Sequence, residues 1–117
     1  MGDLNSDPVD GASIKSAIQS LLANPRVNAT YAPSSAGGAE AARQGGMNTS
    51  QTGDPRLDTA DFNDRGVGNL RVDYVLPAAE LSVAAAGVFW PPPGAPLAEA
   101  AATASAHRLV WVDLALP

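Results

Sequence analysis

Apolar residues in this chain fall into patterned stretches at the two ends, separated by a long unpatterned middle. Near the start, Ile14, Ile18, Leu21 and Leu22 recur at helical spacing on one face. Ser13 is placed to cap that helix, and Asn24-Pro25 to end it, because the residue before a proline disfavours helical backbone. Residues 1–11 before it are polar turn chemistry, with a proline and bracketing glycines. In the second half, Asn69 to Leu76 alternates: Leu70, Val72, Tyr74 and Leu76 on one face, Arg71, Asp73 and Val75 on the other. That period predicts a half-buried strand, stopped by Pro77. Leu81 to Trp90 reads as a second strand, bounded by Pro91-Pro92-Pro93. Arg108 to Leu116 reads as a third, with Val110, Val112, Leu114 and Leu116 on one face. Leu97 to Ala104, between the last two, is alanine-rich and reads as loop or short helix.

From about Asn28 to Gly68 the pattern is weak. Ala36-Gly37-Gly38-Ala39 and Gln44-Gly45-Gly46-Met47-Asn48 read as flexible punctuation, and Ala39 to Arg43 as one or two helical turns. Residues 32–66 are expected to form a long loop, functional or poorly ordered, since structureless loops of that length are uncommon in compact domains. Asn28-Ala29-Thr30 and Asn48-Thr49-Ser50 match the glycosylation acceptor pattern. No internal repeat is visible at any period.

Composition thins the core that these patterns suggest. The apolar fraction is 45%, but alanine supplies almost half of it, and there are only two each of Phe, Trp and Tyr. Alanine removes little area from water when buried, so 117 residues make one small domain or a piece of a larger one. The absence of cysteine excludes disulfides and thiolate metal sites and leaves the compartment open. No apolar stretch approaches the roughly 20 residues of a membrane span, and nothing at Met1 resembles an export signal. A net charge of −5 argues against broad nucleic-acid binding through phosphate neutralisation, but not against one metal-assisted contact with a phosphate.

Three short segments carry candidate chemistry. In Gly2-Asp3-Leu4-Asn5, a carboxylate and an amide two residues apart project to one side if the backbone is extended. The carboxylate could hold a metal or orient a nucleophilic water, and the amide could donate to a phosphate oxygen. The bland reading is an Asx-rich turn. A calcium loop starting at Asp3, Asn5 and Asp7 fails downstream, where Pro8 replaces the required glycine and Ile14 the bidentate carboxylate. In Arg71-Val72-Asp73-Tyr74, a carboxylate inside an apolar strand needs a partner. Either Arg71 or His107 could serve; the latter would have its tautomer fixed by the contact. His107, the sole histidine, precedes the last strand.

Taken in order, Gly2-Asp3-Leu4-Asn5, Arg71-Val72-Asp73-Tyr74 and Ser105-Ala106-His107-Arg108 resemble the Gly-Asp-x-Asn, Arg-x-Asp-Tyr and Ser-Asp-His motifs of the endonuclease/exonuclease/phosphatase (DNase I-like) superfamily. Asn69-Leu70, Val88-Phe89-Trp90-Pro91 and Leu109-Val110-Trp111-Val112-Asp113-Leu114 fit as their neighbours, and the wording is closest to a bacterial, often secreted, subgroup. The resemblance implies an α/β fold, the C-terminal half of a four-layer sandwich, mostly antiparallel sheet with one N-terminal helix. On that reading residues 1–117 are a partial domain that leaves an apolar sheet face uncovered and open to self-association. It implies a phosphoric ester hydrolase, with magnesium or another divalent cation in the intact domain. Asp3 would activate water and hold metal, Asn5 would bind a phosphate oxygen, and His107, oriented by Asp73, would stabilise the transition state. Two features depart from the family. Ala106 stands at the Asp of Ser-Asp-His, and a methyl cannot ligate magnesium. The family's earlier half, with its metal-binding Glu, is not in this sequence. The resemblance therefore leaves open an inactive phosphoesterase or a non-catalytic binding or structural module that kept the fold. DNA, RNA, lipid headgroups and small phosphate esters are not distinguished as substrates.

Overall fold

In a computed structural model describing residues 1–116, the chain forms three two-stranded sheets, all antiparallel, with short helices around them. Strand β1 (Gly2–Asp3) leads through a long turn into helix α1 (Lys15–Leu22). Helix α2 (Ala36–Ala41) and three 3₁₀ turns follow, then β2 (Ala60–Asp61), β3 (Asn69–Leu70) and β4 (Asp73–Tyr74). Strand β5 (Ser82–Phe89), helix α3 (Ala98–Ala104) and strand β6 (Leu109–Ala115) complete it. β1 pairs with β4, β2 with β3, and β5 with β6. Among the described residues, no helix is long and apolar enough to cross a membrane.

The alternation from Asn69 to Leu76 is correct in burial and wrong in continuity. Leu70, Val72 and Tyr74 are all buried, as the period requires. The strand nevertheless breaks at Arg71-Val72, because side chains take the hydrogen bonds that a strand partner would. The Arg71 amide donates to Asp7 Oδ2 at 2.7 Å, and the Val72 and Asp73 amides donate to Thr59 Oγ1 at 3.0 and 2.9 Å. The segment thus crosses from a pairing with β2 (Ala60 opposite Leu70) to a pairing with β1 (Asp3 opposite Asp73). This places the Asp3 and Asp73 carboxylates side by side.

Two other expectations need correcting. Ser13 does not cap α1: the cap position is Ile14, without a side-chain bond, and Ser13 Oγ instead accepts from Ser6 Oγ at 3.0 Å. The helix is held by its polar residues, with Lys15 Nζ donating to Gly11 O at 2.6 Å and Gln19 Nε2 to Pro8 O at 2.8 Å, while Ile18 alone is buried. Residues 32–66 contain α2, the three 3₁₀ turns and β2, and Gly37-Gly38 sit inside α2 rather than in a flexible hinge. A Cβ on Gly37 would fall 2.1 Å from Trp90 O, so glycine is what lets the helix start approach that carbonyl. The amide nitrogens of both acceptor-like asparagines are engaged internally, Asn28 with Leu81 O and Asn48 with Asp64.

The core is two small clusters, Ala41, Val88 and Trp90 in one, and Ala60, Leu70 and Val72 in the other. Of the three largest fully buried side chains, Val72, Asn69 and Thr59, two are polar. Polar satisfaction therefore carries much of what alanine-rich packing cannot. The β5–β6 hairpin leaves Phe89, Leu109 and Trp111 exposed, and Leu114, which alternation puts on its other face, is exposed as well.

One buried carboxyl works against stability. Asp58 is only 7% exposed. Burial, with Asp7, Asp10 and Asp54 nearby, pushes its pKa from 3.8 to about 7. The folded chain therefore binds a proton that the unfolded chain has released between those two values, so stability falls as pH rises through that window and levels off above it. Asp58→Asn is expected to melt higher than the unsubstituted chain at pH 8, by roughly 2 kcal/mol, and to match it at pH 4. Thermal melts at the two pH values check this; an equal shift at both would refute it.

Candidate active site

The local pairing brings Asp3, Asp73 and His107 together. Asp3 and Asp73 face each other across β1 and β4. His107 arrives from a third direction, in an isolated antiparallel bridge to Ala60 of β2. Its Nδ1 lies 3.1 and 3.0 Å from the two Asp73 oxygens. In the neutral ring the Nδ1–H tautomer satisfies that contact and leaves Nε2 as the available acceptor. The ring stands edge-on to Phe62, with centroids 5.3 Å apart. Of the two partners proposed for Asp73, His107 is the one the structure supplies; the Arg71 guanidinium instead lies over the Tyr74 ring, 4.9 Å from its centre.

Thr59 is the residue that sequence reasoning missed. Its hydroxyl donates to Asp73 Oδ2 at 2.8 Å while accepting the two amides of Val72 and Asp73. Its side chain is fully buried. Its backbone joins the flanking segments: the Thr59 amide donates to Leu70 O, and its carbonyl accepts from the Arg108 amide at 2.8 Å. No signal in the sequence marks it, since Asp58-Thr59-Ala60-Asp61 carries no period of its own. Phe62 escaped notice for the same reason.

Arg108 fixes His107 from the other side. Its side chain is almost wholly buried, 4.6 Å over the Trp90 ring, and its NH2 meets Asp61 Oδ2 at 3.2 Å. NH1 donates to the Ser105 and Ala101 carbonyls. Burial lowers the Arg108 pKa, with Asp61 opposing the shift. The Ala106 carbonyl accepts from the Asp61 amide at 2.9 Å, and the His107 amide donates to Ser105 Oγ at 3.0 Å.

Asn5 meets this cluster through its backbone amide. Its backbone is left-handed, at φ 47, and its amide donates to Asp3 Oδ1 at 2.7 Å. The extended geometry that would align Asp3 and Asn5 is therefore replaced by an Asx turn. Asn5 lines a neighbouring cleft of about 600 Å³ with Phe62, Val67 and Leu70. Asp7 is also unavailable as a calcium ligand: its oxygens accept from the Val9, Asp10 and Arg71 amides.

Asp3, Asp73 and His107 each offer one ligand atom, all within 4.8 Å of one another. Both Asp73 oxygens already serve Thr59 or His107, and Asp3 Oδ1 accepts the Asn5 amide, which leaves Oδ2 of exposed Asp3 to meet a cation. Two carboxylates opposite each other on paired strands repel, and a cation beside Asp3 would relieve that. This donor set fits a hard ion such as magnesium, which takes one or two carboxylates and otherwise water and phosphate oxygens. The methyl of Ala106 adds no ligand.

The motif order and the geometry agree with a comparison against protein-family models. The endonuclease/exonuclease/phosphatase family model matches residues 1–107, and the chain belongs to that family, a superfamily of phosphoesterases whose members are generally hydrolytic nucleases and phosphatases. No curated protein and no solved structure matches the chain.

The hydroxyl of Thr59 can be separated from its shape. Thr59→Val leaves the Val72 and Asp73 amides without their acceptor and removes one of two donors from Asp73 Oδ2; it is expected to cost about 2–3 kcal/mol, whereas Thr59→Ser keeps the hydroxyl and loses less than half of that. Denaturant unfolding of both variants measures the difference; equal losses would mean that packing, not hydrogen bonding, sets the position.

Proposed function

We propose that this chain carries part of the active site of a metal-dependent phosphoesterase acting on phosphodiester or phosphomonoester bonds. The observation that supports it most is the Asp73–His107 pair set beside an exposed Asp3. A histidine held through Nδ1 by a buried-side carboxylate presents its other nitrogen at fixed orientation, which is what charge stabilisation at a phosphoryl group needs. Asp3 accepts a hydrogen bond from the attacking water and orients it. His107 donates to the phosphoryl oxygens when protonated and stabilises the charge that builds up on them. Asp73 and Thr59 are positioning residues; neither touches substrate. Asn5, from the rim of the adjacent cleft, donates its side-chain amide to a phosphate oxygen or to the group beyond it. Magnesium, held through Asp3, would supply charge neutralisation at the phosphate.

Ala106 favours a second reading, a module that keeps the fold and has lost catalysis. The two are separable in the protein that carries these residues. With magnesium and a generic aryl phosphodiester, His107→Ala is expected to lower kcat by about 10²–10⁴-fold. Turnover unchanged by His107→Ala would remove it from the mechanism. Ala106→Asp is expected to tighten magnesium binding, read by calorimetry. If metal affinity does not change, the position is not a ligand and the argument for a lost site fails.

A further inference from the structure

Beside His107, α3 and the β5–β6 hairpin flank an open groove of about 360 Å³, which shares no lining residue with the cleft that Asn5 lines. Its lining includes Phe89, Leu97, Ala101, Ala104 and Leu109 together with His107 and Arg108, and it contains no carboxylate. Arg108 does not offer its charge to the groove: NH1 is turned to the Ala101 and Ser105 carbonyls, and NH2 to Asp61, so the guanidinium ties α3 to β6 and fixes the groove's width. Alanines at 100, 101 and 104 keep the helical wall low.

The rim carries a second, independent sign. Leu97 caps α3 in a left-handed conformation, at φ 65, with no side-chain hydrogen bond, and its side chain is 64% exposed. A leucine in that backbone region costs energy that a glycine would avoid, and exposing it adds nothing to folding. Strain of this kind concentrates at ligand-binding positions. Leu109, opposite Phe89 in the hairpin register, is exposed to a similar degree, at 67%.

We infer that this groove is a subsite for the apolar ester group of a phosphate-ester substrate, a single aromatic ring system or a short alkyl chain, with the phosphate at Asp3 and His107. The position of the phosphate rests on the phosphoesterase reading above. The groove's volume is at the lower end for small-molecule sites, which suits a compact apolar group rather than a long acyl tail or a polynucleotide. Because His107 lines the groove, a group bound there would leave its phosphoryl link within reach of the histidine.

The test is binding without turnover, using two non-hydrolysable probes, 1-naphthylphosphonate and methylphosphonate, with the full chain. Calorimetry is expected to show the naphthyl compound binding at least about tenfold more tightly, the increment of burying one apolar group. Its amide shifts by NMR should map to Ala100, Ala101, Ala104 and Leu109. Leu97→Gly, which relaxes the backbone and so retains the fold, should remove most of the naphthyl preference and leave methylphosphonate binding unchanged. Leu109→Ser at the facing rim should do the same. Equal binding of the two probes, shifts confined to the cleft lined by Asn5 and Val67, or a preference untouched by both variants would overturn the subsite. If the Leu97-dependent preference holds but no magnesium-dependent hydrolysis is found, the subsite stands and the phosphoesterase reading fails.

Discussion

The hydroxyl of Thr59 is the point on which this structure turns. One buried oxygen accepts the Val72 and Asp73 amides and donates to the Asp73 carboxylate. The same residue's backbone spans from Leu70 to Arg108. Segments far apart in the chain are thereby fixed to one another within a few ångströms. A chain with little large apolar volume has few other means of doing this, because alanine contacts are weak and non-directional. Hydrogen bonds to a fully buried hydroxyl are directional, and leaving their partners unmet is costly. The position of Asp73, and through it that of His107, follows from this node.

Charge is arranged around the same point. Most carboxylates in the first half of the chain are occupied by backbone amides: Asp7 with Val9, Asp10 and Arg71, Asp10 with Thr52 and Gly53, Asp54 with Arg56. Asp58 is buried among them with its acidity suppressed. Asp3 also holds a backbone amide, that of Asn5, and differs in lying directly opposite a second carboxylate. The proposed chemistry therefore centres on Asp3 and His107, with a cation beside Asp3, while Asp7, Asp10 and Asp54 serve the fold. The proposed subsite beside His107 would take the apolar part of a substrate.

The elements that could be read from the sequence were those with a period. Helix α1 and the hairpin strands lie where the spacing puts them, although only Ile18 of the helix's apolar face is buried, and Leu70, Val72 and Tyr74 are buried as alternation requires. The resemblance of the three motifs also grouped Asp3, Asp73 and His107, whose ligand atoms lie within 4.8 Å of one another. What could not be read was set by single polar atoms. Thr59 replaces a strand partner at Val72 and splits the strand, and no periodicity encodes a hydroxyl doing so. Gly37 looked like a hinge because a close approach to Trp90 O leaves no local signature. Asn5 was aligned with Asp3 on the assumption of extended backbone, and its left-handed turn moves it to the next cleft.

A single histidine makes the central claim directly observable, since its ring nitrogens give one set of signals. Long-range ¹H–¹⁵N NMR of His107 reports its tautomer in the neutral form and its response to phosphate. If Asp73 orients it toward a phosphoryl site, the neutral ring carries its proton on Nδ1, and inorganic phosphate with magnesium perturbs the Nε2 resonance. A neutral ring protonated at Nε2, with resonances unmoved by phosphate and magnesium, would contradict the account.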